Sequence, residues 1–140
     1  MRKRILIVDD SVLARKTMRM LLGSVCCSVV GEAADGFEAV DKARKLAPDV
    51  VLMDLFMPGM DGAAATRVLS HDLPDTQIIV VSVSEAEEDM LKAMRAGARG
   101  YIVKTGDPQA MLLELRRVLS GEPPPMTPRT PGAPERPFGH

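Results

Sequence analysis

Short apolar runs alternate with amphipathic stretches along most of the chain. Residues 4–8, 28–32, 49–53, 77–82 and 100–103 are continuous and rich in β-branched side chains. Runs of that length, bounded by turn-forming residues, predict strands buried on both faces. The intervening stretches carry apolar residues at helical spacing. Ser11 can cap a helix reaching about residue 24, with Ala14, Met18, Leu21, Leu22 and Val25 on one face. Asp35-Gly36 is a turn signal, and Phe37, Val40, Ala43 and Leu46 form the expected buried stripe of a second helix that stops before Pro48. Residues 55–62, broken by Pro58, Gly59 and Gly62, predict a loop, followed by a short helix to about residue 70. The next helix opens with Glu85, Glu87, Glu88 and Asp89, acids that complement its positive end, and closes at Gly97. Pro108 suits the first turn of a last helix striped by Met111, Leu112, Leu115, Val118 and Leu119.

Five β/α units in strict alternation imply an α/β fold, a doubly wound (βα)5 parallel five-stranded sheet with helices on both faces. Right-handed crossovers favour the flavodoxin-like strand order 2-1-3-4-5, which sets strands 1 and 3 side by side. The pattern covers residues 1–121 as one domain. Beyond it, Pro123, Pro124, Pro125, Pro128, Pro131, Pro134 and Pro137 forbid a helix or interior strand. Residues 122–140 are therefore expected to be an extended linker or disordered tail, either the end of a stand-alone domain or a truncated connection to another.

Composition narrows the chemistry. A net charge of −1 gives no general attraction to nucleic acid, and one tyrosine, three phenylalanines and no tryptophan make a base-stacking surface implausible. No apolar stretch is long enough to span a membrane, and the run after Met1-Arg2-Lys3-Arg4 is stopped too early by Asp9 and Asp10 to be a secretory signal. A cytoplasmic location is the expectation. Cys26 and Cys27 are adjacent and lack CxxC spacing, so they predict small packing residues rather than ligands. His71 and His140 belong to no metal-binding pattern.

The sharpest signal lies where the strands end. Asp9 and Asp10 close the first run, Asp54 the third and Lys104 the fifth. In an open α/β sheet the crevice beyond the carboxyl ends of the strands is the binding site. Three carboxylates gathered there repel one another unless cations join them. A divalent metal and a lysine would balance the charge, an arrangement suited to phosphoryl chemistry on an aspartate. Each residue alone could be a cap or a strand-end turn residue; their convergence is what points to chemistry.

The segments ILIVDDS at 5–11, VVLMDLFMPGMDG at 50–62, VVSVSE at 80–85 and AGARGYIVK at 96–104 occur in order and cover residues 3 to about 120. Through them the chain resembles the receiver domains of bacterial two-component response regulators, the CheY-like superfamily. GEAADGFEAV at 31–40 and AGARGYIVK are most similar to the NarL/FixJ, or LuxR-type, subfamily, many of whose members regulate transcription. The resemblance implies a phosphoacceptor signalling domain rather than an enzyme turning over outside substrates. Asp54 would accept a phosphoryl group from a sensor histidine kinase or phosphotransfer protein. Asp10 and Asp54 would bind Mg²⁺ directly, Asp9 mainly through water, and the backbone carbonyl of Phe56 would be a further ligand. Lys104 would pair with Asp54 at rest and with a phosphoryl oxygen afterwards. Ser82 would hydrogen-bond the phosphoryl group, and Tyr101 would be the switch aromatic. Pairing into a homodimer on activation is a further expectation, with no direct nucleic-acid contact by these residues.

Several positions keep a plainer reading. Ser84 competes with Ser82, because a slip of one residue would exchange their directions. Met57 and Met60 predict loop packing. Arg15, Lys16 and Arg19 are most simply a solvated helix face, with a kinase-docking surface as the sharper reading. Thr105 stands where many receivers have proline, which leaves the isomer of the Lys104-Thr105 peptide open. Two other functions compete: a phosphorylation-independent interaction module, and a Mg²⁺-dependent phosphohydrolase. The second would need an acid/base aspartate where Phe56 stands.

Overall fold

The computed structural model describes residues 2–25 and 27–120. Five strands and five helices alternate: β1 (Lys3–Val8), α1 (Val12–Leu22), β2 (Cys27–Ala33), α2 (Gly36–Leu46), β3 (Val50–Asp54), α3 (Gly62–Asp72), β4 (Gln77–Ser82), α4 (Glu87–Ala96), β5 (Gly100–Val103) and α5 (Pro108–Leu119). Local chemistry sets most boundaries. Ser11, Asp35, Asp61 and Asp107 each accept a backbone N–H in the first turn of the helix they precede. Ala86 offers no such side chain, and α4 relies instead on Glu87, Glu88 and Asp89 at its positive end. It stops at Gly97, whose φ of 116° is open to glycine at little cost.

The sheet order is β2-β1-β3-β4-β5, all parallel, as the alternating pattern predicts. Because strand side chains alternate between faces, each strand feeds two cores. Ile5, Ile7, Val50, Leu52, Ile79, Val81 and Ile102 pack with Met18 and Leu22 of α1 and Met111, Leu115 and Leu119 of α5. Leu6, Val8, Val51, Met53 and Ile78 face the other way, toward Ala39, Val40 and Ala43 of α2 and Ala65 and Leu69 of α3. Val80 joins Leu55, Ala63, Ala93, Ala96 and Ala98 in a third cluster beneath α3 and α4. Both faces of the central strands are covered, which is why they read as unbroken apolar runs rather than alternating ones.

Two local expectations change. Phe37 is 64% exposed rather than buried. Asp35 is a helix cap, so α2 begins at Gly36 and its inner face runs through Gly36, Ala39, Val40 and Ala43. Gly36 has to be small there, since a Cβ would lie 2.4 Å from the carbonyl oxygen of Met60. Helix α1 ends at Leu22, and Gly23 takes the capping position. Cys27 is buried at the start of β2, while Cys26 and the proline-rich stretch from residue 121 lie outside the described residues. Among the described residues there is no cis peptide, so Lys104-Thr105 is trans.

Candidate functional site

Strand parity carries the charged residues to one place. Ile5 and Ile7 of β1 face the α1/α5 side, and the next position of that parity is Asp9. Val50 and Leu52 lead in the same way to Asp54, and Ile102 leads to Lys104. β1 and β3 are neighbours from which the chain winds in opposite directions, to β2 on one side and to β4 and β5 on the other. That divergence opens a crevice at their carboxyl ends. Asp9, Asp10 and Asp54 each present a carboxylate oxygen there, all within 4.8 Å of one another.

Asp9 and Asp54 are buried, whereas Asp10 is exposed. Lys104 Nζ lies 2.6 Å from Asp9 Oδ2 and 3.5 Å from Asp54 Oδ1. Lys104 therefore bridges both carboxylates, making the expected pairing with Asp54 and a shorter one with Asp9. Asp9 is held at every polar point: Oδ1 accepts the Ser11 N–H at 2.9 Å, its own N–H donates to Ala33 O at 3.0 Å, and its carbonyl accepts from Arg15 Nη1 at 2.6 Å. Burial raises the Asp54 pKa to about 6; Lys104 opposes this, and the neighbouring Asp9 and Asp10 charges add to it. Burial works in the other direction on Lys104, but the hydrogen bond to Asp9 and the charges of Asp54 and Asp9 outweigh it and leave its pKa raised. A cavity of about 330 Å³ beside the carboxylates is lined by Asp9, Asp54 and Lys104 together with Met18, Leu52 and Met111.

Ser82 and Tyr101 have the opposite parity and face the α3/α4 side. Ser82 is fully buried at the end of β4, and its Oγ accepts the Ser84 N–H at 3.1 Å. Ser84 points elsewhere, donating to Asp89 Oδ2 at 2.6 Å and accepting the Ala86 N–H at 3.1 Å. Tyr101 packs half-buried against the third cluster, and its hydroxyl donates to the Ser84 carbonyl at 3.0 Å. Serine 82 and the tyrosine are thus joined through one short segment, residues 82–84. Phe56 follows Asp54 by two residues with its side chain 52% exposed. Met57 is buried in the second cluster and Met60 packs at its margin.

Of the three basic residues expected on a solvated face of α1, Lys16 and Arg19 are exposed, whereas the Arg15 side chain is only 16% exposed. Arg15 and Arg19 both bind the Glu32 carboxylate, Arg15 through Nε at 2.9 Å. Sequence reasoning missed this because Glu32 lies on a different strand, and only the pairing of β1 with β2 brings it alongside α1.

Sheet order, parity and the acidic crevice define the class of two-component receivers. The chain belongs to the response regulator receiver domain family, whose model matches residues 5–116. It is similar to the response regulator GacA of Pseudomonas aeruginosa, with 41% identity over 120 residues, 85% of this chain and 56% of that protein. The nitrate/nitrite response regulator protein NarP of Escherichia coli K12 is 41% identical over 122 residues, 84% of this chain and 55% of NarP. The chain thus spans about half the length of these curated relatives. A crystal structure of a LuxR-family two-component response regulator from Aurantimonas sp. SI85-9A1 superposes with a TM-score of 0.80 at 35% identity, covering 88% of this chain and 89% of that one. The LuxR-type resemblance read from residues 31–40 and 96–104 is in line with these relatives. No helix among the described residues is long and apolar enough to cross a membrane.

Proposed function

We propose that Asp54 is the phosphoacceptor of this receiver and that Asp9, Asp10 and Asp54, with the Phe56 carbonyl, bind Mg²⁺. The observation that carries the reading is the juxtaposition of three carboxylate oxygens within 4.8 Å beside Lys104. The donors are hard oxygens and too few to enclose an ion, which suits Mg²⁺ with several retained waters. When bound, Mg²⁺ supplies charge neutralisation for the incoming phosphoryl oxygens. Asp54 attacks phosphorus through a carboxylate oxygen as the bond to the donor's imidazole nitrogen breaks, giving an acyl phosphate. Lys104 stabilises a phosphoryl oxygen, and Ser82 donates its hydroxyl to another. Moving Ser82 pulls on residues 82–84, to which the Tyr101 hydroxyl is tied, and this couples the site to the α4/β5 side. The donor is a histidine kinase or phosphotransfer protein in the cytoplasm, and water later hydrolyses the acyl phosphate.

Incubating the protein with acetyl phosphate and Mg²⁺ tests the assignment. Intact mass should rise by one phosphoryl group, and the gain should vanish with EDTA or with Asp54→Asn. An equal gain in Asp54→Asn would assign the chemistry to another residue.

A further inference from the structure

β2 contains one irregularity. Ile5 of β1 pairs with Val29, but Leu6 pairs with Gly31, so Val30 is an extra residue without a partner in β1. Such a bulge reverses the facing of everything after it. Val29 packs on the α1/α5 side. Gly31 and Ala33 lie toward α2, where a Cβ on Gly31 would meet Leu46 at 3.0 Å and Ala33 joins the second cluster. Without the bulge Glu32 would face the side opposite Val29. With it, Glu32 shares Val29's face and meets α1.

There the Glu32 carboxylate receives both Arg15 and Arg19, and Arg15 spends its remaining fork on Asp9. Nε donates to Glu32 Oε1 at 2.9 Å while Nη1 donates to the Asp9 carbonyl at 2.6 Å. Only a planar fork with separate donors can span two acceptors on different strands in this way. The Arg15 side chain is 16% exposed, so the contact is shielded from solvent. The Asp9 carbonyl belongs to the Asp9-Asp10 peptide, which fixes where both carboxylates emerge. Asp10 is the exposed acid of the three.

We propose that Arg15 is a positioning residue for the metal-binding acidic pair, held in place by Glu32 and, through it, by the bulge at Val30. The proposal rests on the Mg²⁺ reading above. Groups that hold ligands in place commonly change metal affinity by 10- to 100-fold when removed. In the 140-residue chain, Arg15→Met should weaken Mg²⁺ binding about tenfold by calorimetry, on the lower edge of that range. The rate of phosphorylation by acetyl phosphate at saturating Mg²⁺ should stay within about twofold of the parent, because Asp54 and Lys104 do not touch the guanidinium. Amide exchange should quicken at Ser11, whose N–H is bonded to Asp9 Oδ1. Arg15→Lys, which can reach one acceptor but not both, should fall between parent and Arg15→Met.

A purely structural role would lower the melting temperature and leave Mg²⁺ affinity unmoved; that result overturns the proposal. Should Arg15→Met fail to fold, Glu32→Gln serves, with roughly threefold weaker Mg²⁺ binding expected from the loss of a charged partner. Unchanged affinity in a folded Glu32→Gln would be equally fatal. If the parent protein itself binds no Mg²⁺, the metal reading fails and this inference falls with it. If the parent binds and the variants match it, the inference alone fails.

Discussion

Asp54 bears the largest electrostatic cost in the site. Its folded-state pKa is raised from 3.8 to about 6, chiefly by burial. A carboxyl whose pKa is raised by folding destabilises the folded state wherever it must be ionised, fully above the folded value and not at all below the unfolded one. In metal-free protein near pH 7.5, Asp54→Asn should therefore be more stable than the parent by about 1–3 kcal/mol. The gain should shrink to about half near pH 5, where the parent already carries a proton. Urea denaturation in EDTA at the two pH values measures this. An Asn variant no more stable than the parent at pH 7.5 would mean that Lys104 compensates the buried charge completely. Arg15 shows a different kind of residue-scale effect. Its identity alone gives no sign of its role, since a basic residue on an amphipathic helix is normally solvated, and only Glu32 and the Asp9 carbonyl define it.

At the scale of elements, the β3-to-α3 connection is closely packed at Gly62. A Cβ on Gly62 would lie 2.1 Å from the Asp54 carbonyl oxygen and 2.8 Å from Leu55 Cα, both backbone atoms that cannot swing aside. Gly62→Ala should cost about 1–3 kcal/mol in thermal or urea unfolding, the usual range for forced overpacking. It should also slow acetyl-phosphate labelling, because the displaced backbone is that of Asp54 itself. The strands were legible in the sequence because burial on both faces leaves continuous β-branched runs, and β4 and β5 are found at the residues those runs predict. Convergence of Asp9, Asp54 and Lys104 followed from the same runs, since each ends one. Phe37 was misread because the inner face of α2 is set by Gly36, Ala39, Val40 and Ala43, and at about 100° per residue position 37 falls outside the arc they span. The bulge at Val30 was not legible at all. It depends on which residue of β1 opposes which residue of β2, a relation between strands that no local pattern encodes.

For the whole molecule, two groups of carboxyls act in opposite directions on stability. Glu32 is held below its ordinary pKa by the Arg19 and Arg15 hydrogen bonds, and Glu38 by the Ala34 N–H and Lys42. Groups depressed on folding stabilise the protein above their unfolded pKa, here 4.5, and that contribution disappears as pH falls through the folded value. Asp54 does the reverse between about 6 and 3.8. Metal-free protein should therefore be most stable near about pH 4.5, losing stability toward acid as Glu32 and Glu38 protonate and, from there up to about pH 6, because the unfolded chain ionises Asp54 while the folded chain still holds its proton. On the proposed metal reading, saturating Mg²⁺ would select the ionised carboxylates of the folded state, so it should remove that decline and move the maximum above pH 6. The shift comes from linkage alone: ligand at a hundred times its Kd adds about 2.7 kcal/mol, similar in size to the Asp54 cost it offsets. Melting temperature across pH 4–8, with EDTA and with Mg²⁺, reads both curves. If they coincide, ionised Asp54 is not where the metal exerts its effect.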